Sequence, residues 1–188
     1  LLLLLIPLMG GDRSIWAAAF RPWILLRSAL FAMVFVSFYT AISTVDLAVV
    51  AAGYYTSPIF ITLLSAMMTK DRINPLGWCA VLLGFVGVLI ILRPTSGDFN
   101  PMTVVPVFSG LCYAFAAIIV RVKCQNEEPF SLVVSLNFVL MATGIIATLI
   151  LSTLSLSSSA IAFQPFLLGE WALLDVKEWI ITCALALL

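Results

Sequence analysis

Histidine is missing from all 188 residues, and with it the commonest general base and the commonest metal ligand. Cysteine is sparse. Cys79, Cys112, Cys124 and Cys183 lie far apart, with no C-x-x-C pair, so neither a metal site nor a disulfide framework is supported. Charge is scarce too: Asp, Glu, Lys and Arg make up 10% of the chain and cancel to a net +0. That leaves no basic stripe to hold nucleic acid and no acidic tail to form a solvated arm. Enzyme chemistry needs paired acids, a metal cluster or a nucleophile with its base, and no carboxylate falls inside the apolar stretches. No catalytic, cofactor or metal residue is therefore assigned.

What fills the chain instead is apolar sequence, 63% of it, gathered into uncharged runs of about twenty residues, the length a helix needs to cross a bilayer. Five runs reach that length: Trp23–Thr44, Leu47–Thr69, Leu76–Leu92, Met102–Val122 and Phe130–Thr153. Shorter runs, Leu1–Met9 and Trp179–Leu188, stand at the two ends and are expected to be parts of helices that continue beyond the chain. Short connections carry the expected breakers, among them Gly10-Gly11, Asn74-Pro75, Arg93-Pro94 and Pro129. Only 155–178 is longer, and its Phe, Trp and Leu content suits the membrane interface.

Counting Lys and Arg in alternate connections orients these spans. Arg13, Arg21, Arg27, Lys70, Arg72, Arg121 and Lys123 fall on one side; Arg93 and Lys177 fall on the other. The first set is expected to face the cytoplasm. Small residues mark packing faces, because helices in lipid associate through close approach. Gly77, Ala80, Gly84 and Gly87 recur at spacings of three and four, and Gly110 with Ala114 makes a second such pair.

Between Ala48 and Pro94 the pattern becomes specific. An Ala-rich segment, Leu47 to Ala52, leads into Ser57-Pro58-Ile59-Phe60. A charged turn, Lys70-Asp71-Arg72, follows, then Gly77-Trp78, then Leu83-Gly84-Phe85-Val86-Gly87 running to Arg93-Pro94. This resembles the EamA-type repeat of the drug/metabolite transporter superfamily, and Gly110 to Arg121 resembles the first helix of a second repeat. One departure is that Lys70-Asp71-Arg72 stands where a Gly-Glu-Arg-like triplet is usual. The resemblance implies an all-α polytopic membrane protein, part of a ten-helix bundle of two inverted five-helix repeats, truncated at both ends. Residues 1–94 would be the C-terminal part of the first repeat and 101–188 the N-terminal part of the second.

The function implied is secondary transport of a small organic metabolite, amino-acid-like, nucleoside-like or amphipathic, by alternating access. The alternative is a non-transporting scaffold or regulator, which would be expected to show a sizeable partner-binding loop. The implied location is the cell membrane, the inner membrane of a bacterium. The implied partners are the substrate, the lipid bilayer and, as the one protein partner, a second copy of the chain.

Inverted repeats hold substrate near the midplane, and polar groups at that depth are costly unless satisfied, so each is a pointer. The candidates are Tyr39, Tyr54, Tyr55, Ser57, Pro58, Tyr113 and Asn137. Pro58 frees a backbone carbonyl and allows a kink or hinge. Tyr55 and Ser57 could line a cavity beside that hinge; alternatively Ser57 bonds back to its own helix and the rings fill space. Tyr113 and Asn137 could instead be hydrogen-bond partners between helices. Arg27, a turn inside its span, could take an anionic group or snorkel to the headgroups. Asp46 is placed to cap the helix from Leu47. Adjacent Glu127 and Glu128 suit the positive end of the following helix, not a catalytic pair.

Overall fold

The computed structural model describes residues 13–68, 74–92 and 101–153. The terminal runs Leu1–Met9 and Trp179–Leu188, the turns around Lys70 and Arg93, and the connection 155–178 lie outside them. Every regular element among the described residues is helical: α1 (Arg13–Ala19), α2 (Pro22–Ile42), α3 (Leu47–Tyr54), α4 (Ser57–Met68), α5 (Pro75–Leu92), a 3-10 turn (Pro101–Thr103), α6 (Val104–Lys123) and α7 (Pro129–Thr153). The protein is an all-α polytopic membrane protein. Among the described residues four stretches are long and apolar enough to cross a membrane: Pro22–Ile42, Leu47–Met68, Pro101–Lys123 and Pro129–Leu151. The fifth expected span, α5, has 18 residues and a length of about 27 Å, just short of the hydrocarbon thickness.

Proline sets most of the helix starts. Its missing N–H costs nothing in a first turn, where that donor has no partner. Pro22 opens α2, and Arg21 before it is held extended (φ −64°, ψ 143°), as a residue preceding proline must be. That constraint ends α1, a short helix the hydropathy pattern does not anticipate. α1 packs Ile15, Trp16 and Ala19 against Phe130 and Val134 of α7. Asn74 caps α5, its side-chain oxygen accepting from the Leu76 N–H at 3.1 Å. Asp46 sits at the N-cap of α3 but makes no side-chain cap bond. Its backbone carbonyl accepts from Val49 and Val50 instead, so the expected side-chain capping is not formed.

The stretch expected as one continuous span, Leu47–Thr69, is two helices. Pro58 cannot donate to Tyr54, and its ring would clash with the Tyr54 carbonyl if the helix ran on. The chain turns tightly instead, with Thr56 N–H on the Gly53 carbonyl (3.2 Å) and the Thr56 hydroxyl donating to the same oxygen (2.6 Å). The helix restarts when Ile59 and Phe60 donate to the Thr56 carbonyl.

α6 is the most buried of the spans and packs against α2, α3 and α4. Between Pro106 and Ile118, which are also buried, its buried face is small: Ser109, Gly110, Cys112, Ala114 and Ala116. The smallness is needed at Gly110, where a Cβ would lie 2.8 Å from Thr56 Oγ1 and 3.1 Å from the Tyr54 carbonyl. Gly53 on α3 meets Pro106 of α6 as closely, at 2.7 Å. So the broken span is seated directly on the backbone of α6, as the Gly110/Ala114 pair predicts. The α5 glycines behave differently. Gly84 touches only Ile59, Gly87 has nothing within 4 Å, and Ala80 is exposed. The expected packing face of α5 is largely unused among the described residues.

Candidate functional site: an aromatic cleft at the helix break

The break in α3–α4 turns a run of rings toward α2. Phe31, Phe35, Phe38 and Tyr39 follow spacings of four and three, which places them on one side of α2. With Val34 of α2 and Ala51, Tyr54 and Tyr55 of the opposite segment they line a cleft of about 340 Å³. Its walls interlock as aromatic pairs. Tyr54 meets Phe38 edge to face at 5.7 Å and Tyr113 of α6 at 5.6 Å. Tyr113 in turn meets Phe31 at 5.5 Å, and Phe35 stacks on Tyr39 at 6.4 Å. Such pairs are each worth about 0.5–1.5 kcal/mol beyond their buried area, so the rings are held in place before any ligand arrives. Tyr39 and Tyr55, 47% and 69% exposed, are the most open of the wall residues.

The candidate residues therefore separate. Tyr39, Tyr54 and Tyr55 line the cleft and Tyr113 supports its wall from α6. Ser57 is buried where the break meets Gly110, and the bond back into the helix is made by Thr56. Pro58 causes the break but faces outward, exposed. Asn137 lies on α7 and donates to its own helix at the Val133 carbonyl (2.9 Å); among the described residues it bridges no helices. The phenylalanines of α2 are the wall residues that a search for polar groups passes over, although their spacing was there to read.

One end of the bundle is joined differently. There α2 meets α7 through the Arg21–Glu127 ion pair, the Arg27 Nη1 bond to the Leu132 carbonyl (3.1 Å), and a hydrogen bond between the buried Ser28 and Ser135 hydroxyls (3.0 Å). Arg121 of α6 donates to Ser65 of α4 (3.0 Å), and Lys123 lies over the Trp23 ring. Burial pushes the nearby Cys124 thiol above its ordinary range, with Glu127 adding to the shift and Arg27 opposing it. Farther along, α2 and α7 leave a groove lined by Ala29, Met33, Ser37, Val139 and Thr143. Among the described residues no group of acids, cysteines or histidines could hold a metal ion.

Residues 1–93 match the EamA-like transporter family. The first half of this chain is an EamA-like transporter domain. Curated relatives extend the likeness into the second half. The riboflavin transporter of Brucella anthropi is 28% identical over 162 residues, 85% of this chain and 56% of its own length. That of Vibrio cholerae is 33% identical over 81 residues, 43% of this chain and 27% of its own length. The pseudopaline exporter of Pseudomonas aeruginosa is 28% identical over 154 residues, 81% and 51% of the two lengths. The EamA-like chain thus spans from about a quarter to just over half of each of these relatives. No solved structure matches it.

Proposed function

We propose that this chain belongs to a secondary transporter that carries a small organic molecule with a planar aromatic ring, and that the cleft between α2 and α3 is where the ring is held. The observation that carries the proposal is the cleft wall itself. Rings from α2, α3 and α6 converge beside the helix break at Tyr55–Thr56, which supports reading the break as a hinge and the cleft as the recognition surface. Relatives named as riboflavin transporters support a flat heterocycle as the substrate class. The apolar lining suits a molecule that enters uncharged or with its charge at one end.

In this reading the basic end faces the cytoplasm, by the excess of Lys and Arg there. The α2–α7 bonds then close the cytoplasmic side while the cleft opens toward the opposite face. The helices 101–153 supply the beginning of a second inverted repeat, and transport proceeds by rocking one repeat against the other. The setting is a bacterial cell membrane.

The test is uptake and efflux by the full-length protein in a transport-deficient bacterial host, with metabolites profiled in cells and medium. We expect a ring-bearing metabolite to redistribute and to stop doing so in a Tyr54→Ala variant present at normal abundance. No redistribution despite confirmed membrane expression would leave a scaffold or regulator built on a transporter fold.

A further inference from the structure

Arg27 is placed unlike the other cations described at its end of the bundle. Arg21 pairs with Glu127, Arg121 bonds Ser65, and Lys123 covers Trp23. Arg27 lies about 8 Å inside α2, counted from Pro22 at the helical rise. Its side chain does not run out to the boundary, as snorkelling would require. It turns inward, with the guanidinium 4.5 Å from the centre of the Phe31 ring and Nη1 on the Leu132 carbonyl. Its Nε–H is fully buried and has no acceptor among the described residues. Arg27 forms no ion pair there either. Burial and Glu127 push the nearby Cys124 thiol up, away from its charged form.

A cation at membrane depth with neither a carboxylate nor a full set of acceptors is costly and calls for an anion. The geometry supplies a direction. Phe31, under the guanidinium, is itself a wall of the aromatic cleft, and its other neighbour is Tyr113. The Phe31 ring is thus shared by the guanidinium and the cleft.

We propose that Arg27 selects among ring-bearing substrates by taking an oxyanion, a carboxylate or a phosphate, at the inner end of the cleft while the ring lies against Phe31 and Tyr54. The inference rests on the cleft being the recognition site. A guanidinium engages an oxyanion through charge-assisted, directional hydrogen bonds, which in a dry site are the strong ones.

The experiment measures equilibrium binding of two radiolabelled probes of nearly equal shape, indole-3-acetate and indole-3-acetamide, to the full-length protein in nanodiscs. The wild type should bind the acid about tenfold more tightly or better, the scale of one charge-assisted bond. Arg27→Gln should bring the two affinities together, and its retained binding of the amide shows that the variant folds. Arg27→Lys should keep a smaller preference for the acid. Equal binding of the two probes by the wild type, or a preference that survives Arg27→Gln, overturns the role of Arg27 and leaves the cleft intact as a ring site. Binding of neither probe overturns the cleft reading and this inference together.

Discussion

At the end of the bundle marked by Arg21, Arg27, Arg121 and Lys123, helices are joined by hydrogen bonds, an ion pair and a cation over a ring. Past the midpoint of α2 the same helix offers rings and small residues, and α2 and α7 stand apart around an open groove. The difference is one of range and replaceability. A hydrogen bond holds only within a few tenths of an ångström and is nearly all-or-none. Aromatic pairs hold over a wider range, about 4.5–7 Å between centroids in offset or edge-on arrangements, so a ligand's ring can join them. In the transport reading proposed above, one end acts as a clasp, the other as a cleft, and the helix break at Tyr55–Thr56 as the joint between them.

The severest way to break this comparison is to make the clasp permanent. Ser28 and Ser135 oppose each other at 3.0 Å between hydroxyls, close enough for cysteines to oxidise with little backbone movement. In a full-length background freed of its native cysteines, Ser28→Cys with Ser135→Cys should lose transport to background on oxidation and regain it on reduction. Undiminished flux through the oxidised protein would show that the two helices never part.

On the cleft side, Tyr54 is in ring contact with Phe38, Tyr55 and Tyr113 at once. Tyr54→Ala should weaken binding or transport of an aromatic substrate about tenfold, since it removes at least one ring contact of about 1 kcal/mol and leaves the others loose. Tyr54→Phe, which keeps the ring, should stay within about twofold. Equal losses in the two variants would make the phenol oxygen the determinant and would sharpen the cleft from a ring site to a hydrogen-bonding one. Asn137→Ala, on a side chain already satisfied by its own helix, should change little.

The joint itself is tested by adding one methyl group. Gly110→Ala forces a Cβ to within 2.8 Å of Thr56 Oγ1 and 3.1 Å of the Tyr54 carbonyl, and overpacking of this kind costs about 1–3 kcal/mol. Gly87→Ala meets nothing within 4 Å and should be neutral or slightly stabilising through better helix propensity. Thermal unfolding of the two variants in detergent checks the contrast. Similar midpoints would mean that α6 and the break are not pressed together as described.

These contrasts show where sequence was informative. The spans were legible because apolar length is a property of contiguous residues, and most helix starts fell at a proline whose missing N–H acts locally. The consequence of Pro58 was legible only in part. A kink follows from one residue, but a complete break also needs Gly110 across the way to admit the turn, and that pairing is not a local property. The tyrosines of the cleft drew notice for their hydroxyls. Phe31, Phe35 and Phe38 did not, because on an apolar helix rings facing lipid and rings facing a cavity have the same composition. Asn137 shows the reverse: a polar side chain at depth donates to its own backbone, four residues back, and to no other helix among the described residues. The α5 glycines likewise matched a packing pattern whose partner is not among the described residues.

The smallest effect is expected at the outer edge of the clasp, where Arg21 meets Glu127. The Arg21 side chain is 61% exposed and that of Glu127 15%, and an ion pair with its cation open to solvent is worth about 0–1 kcal/mol. Arg21→Gln should lower the unfolding midpoint by about a degree or two, with the difference shrinking as salt screens the pair. If the clasp is two-state, a loss of that size changes the ratio of closed to open forms by no more than about fivefold. The variant should therefore still transport, with any change confined to the balance between the two forms. The buried Ser28–Ser135 bond lies behind it, shielded from salt. A midpoint drop that survived molar salt, or a collapse of transport, would assign the closure of this end to the exposed pair and demote the buried contacts to packing.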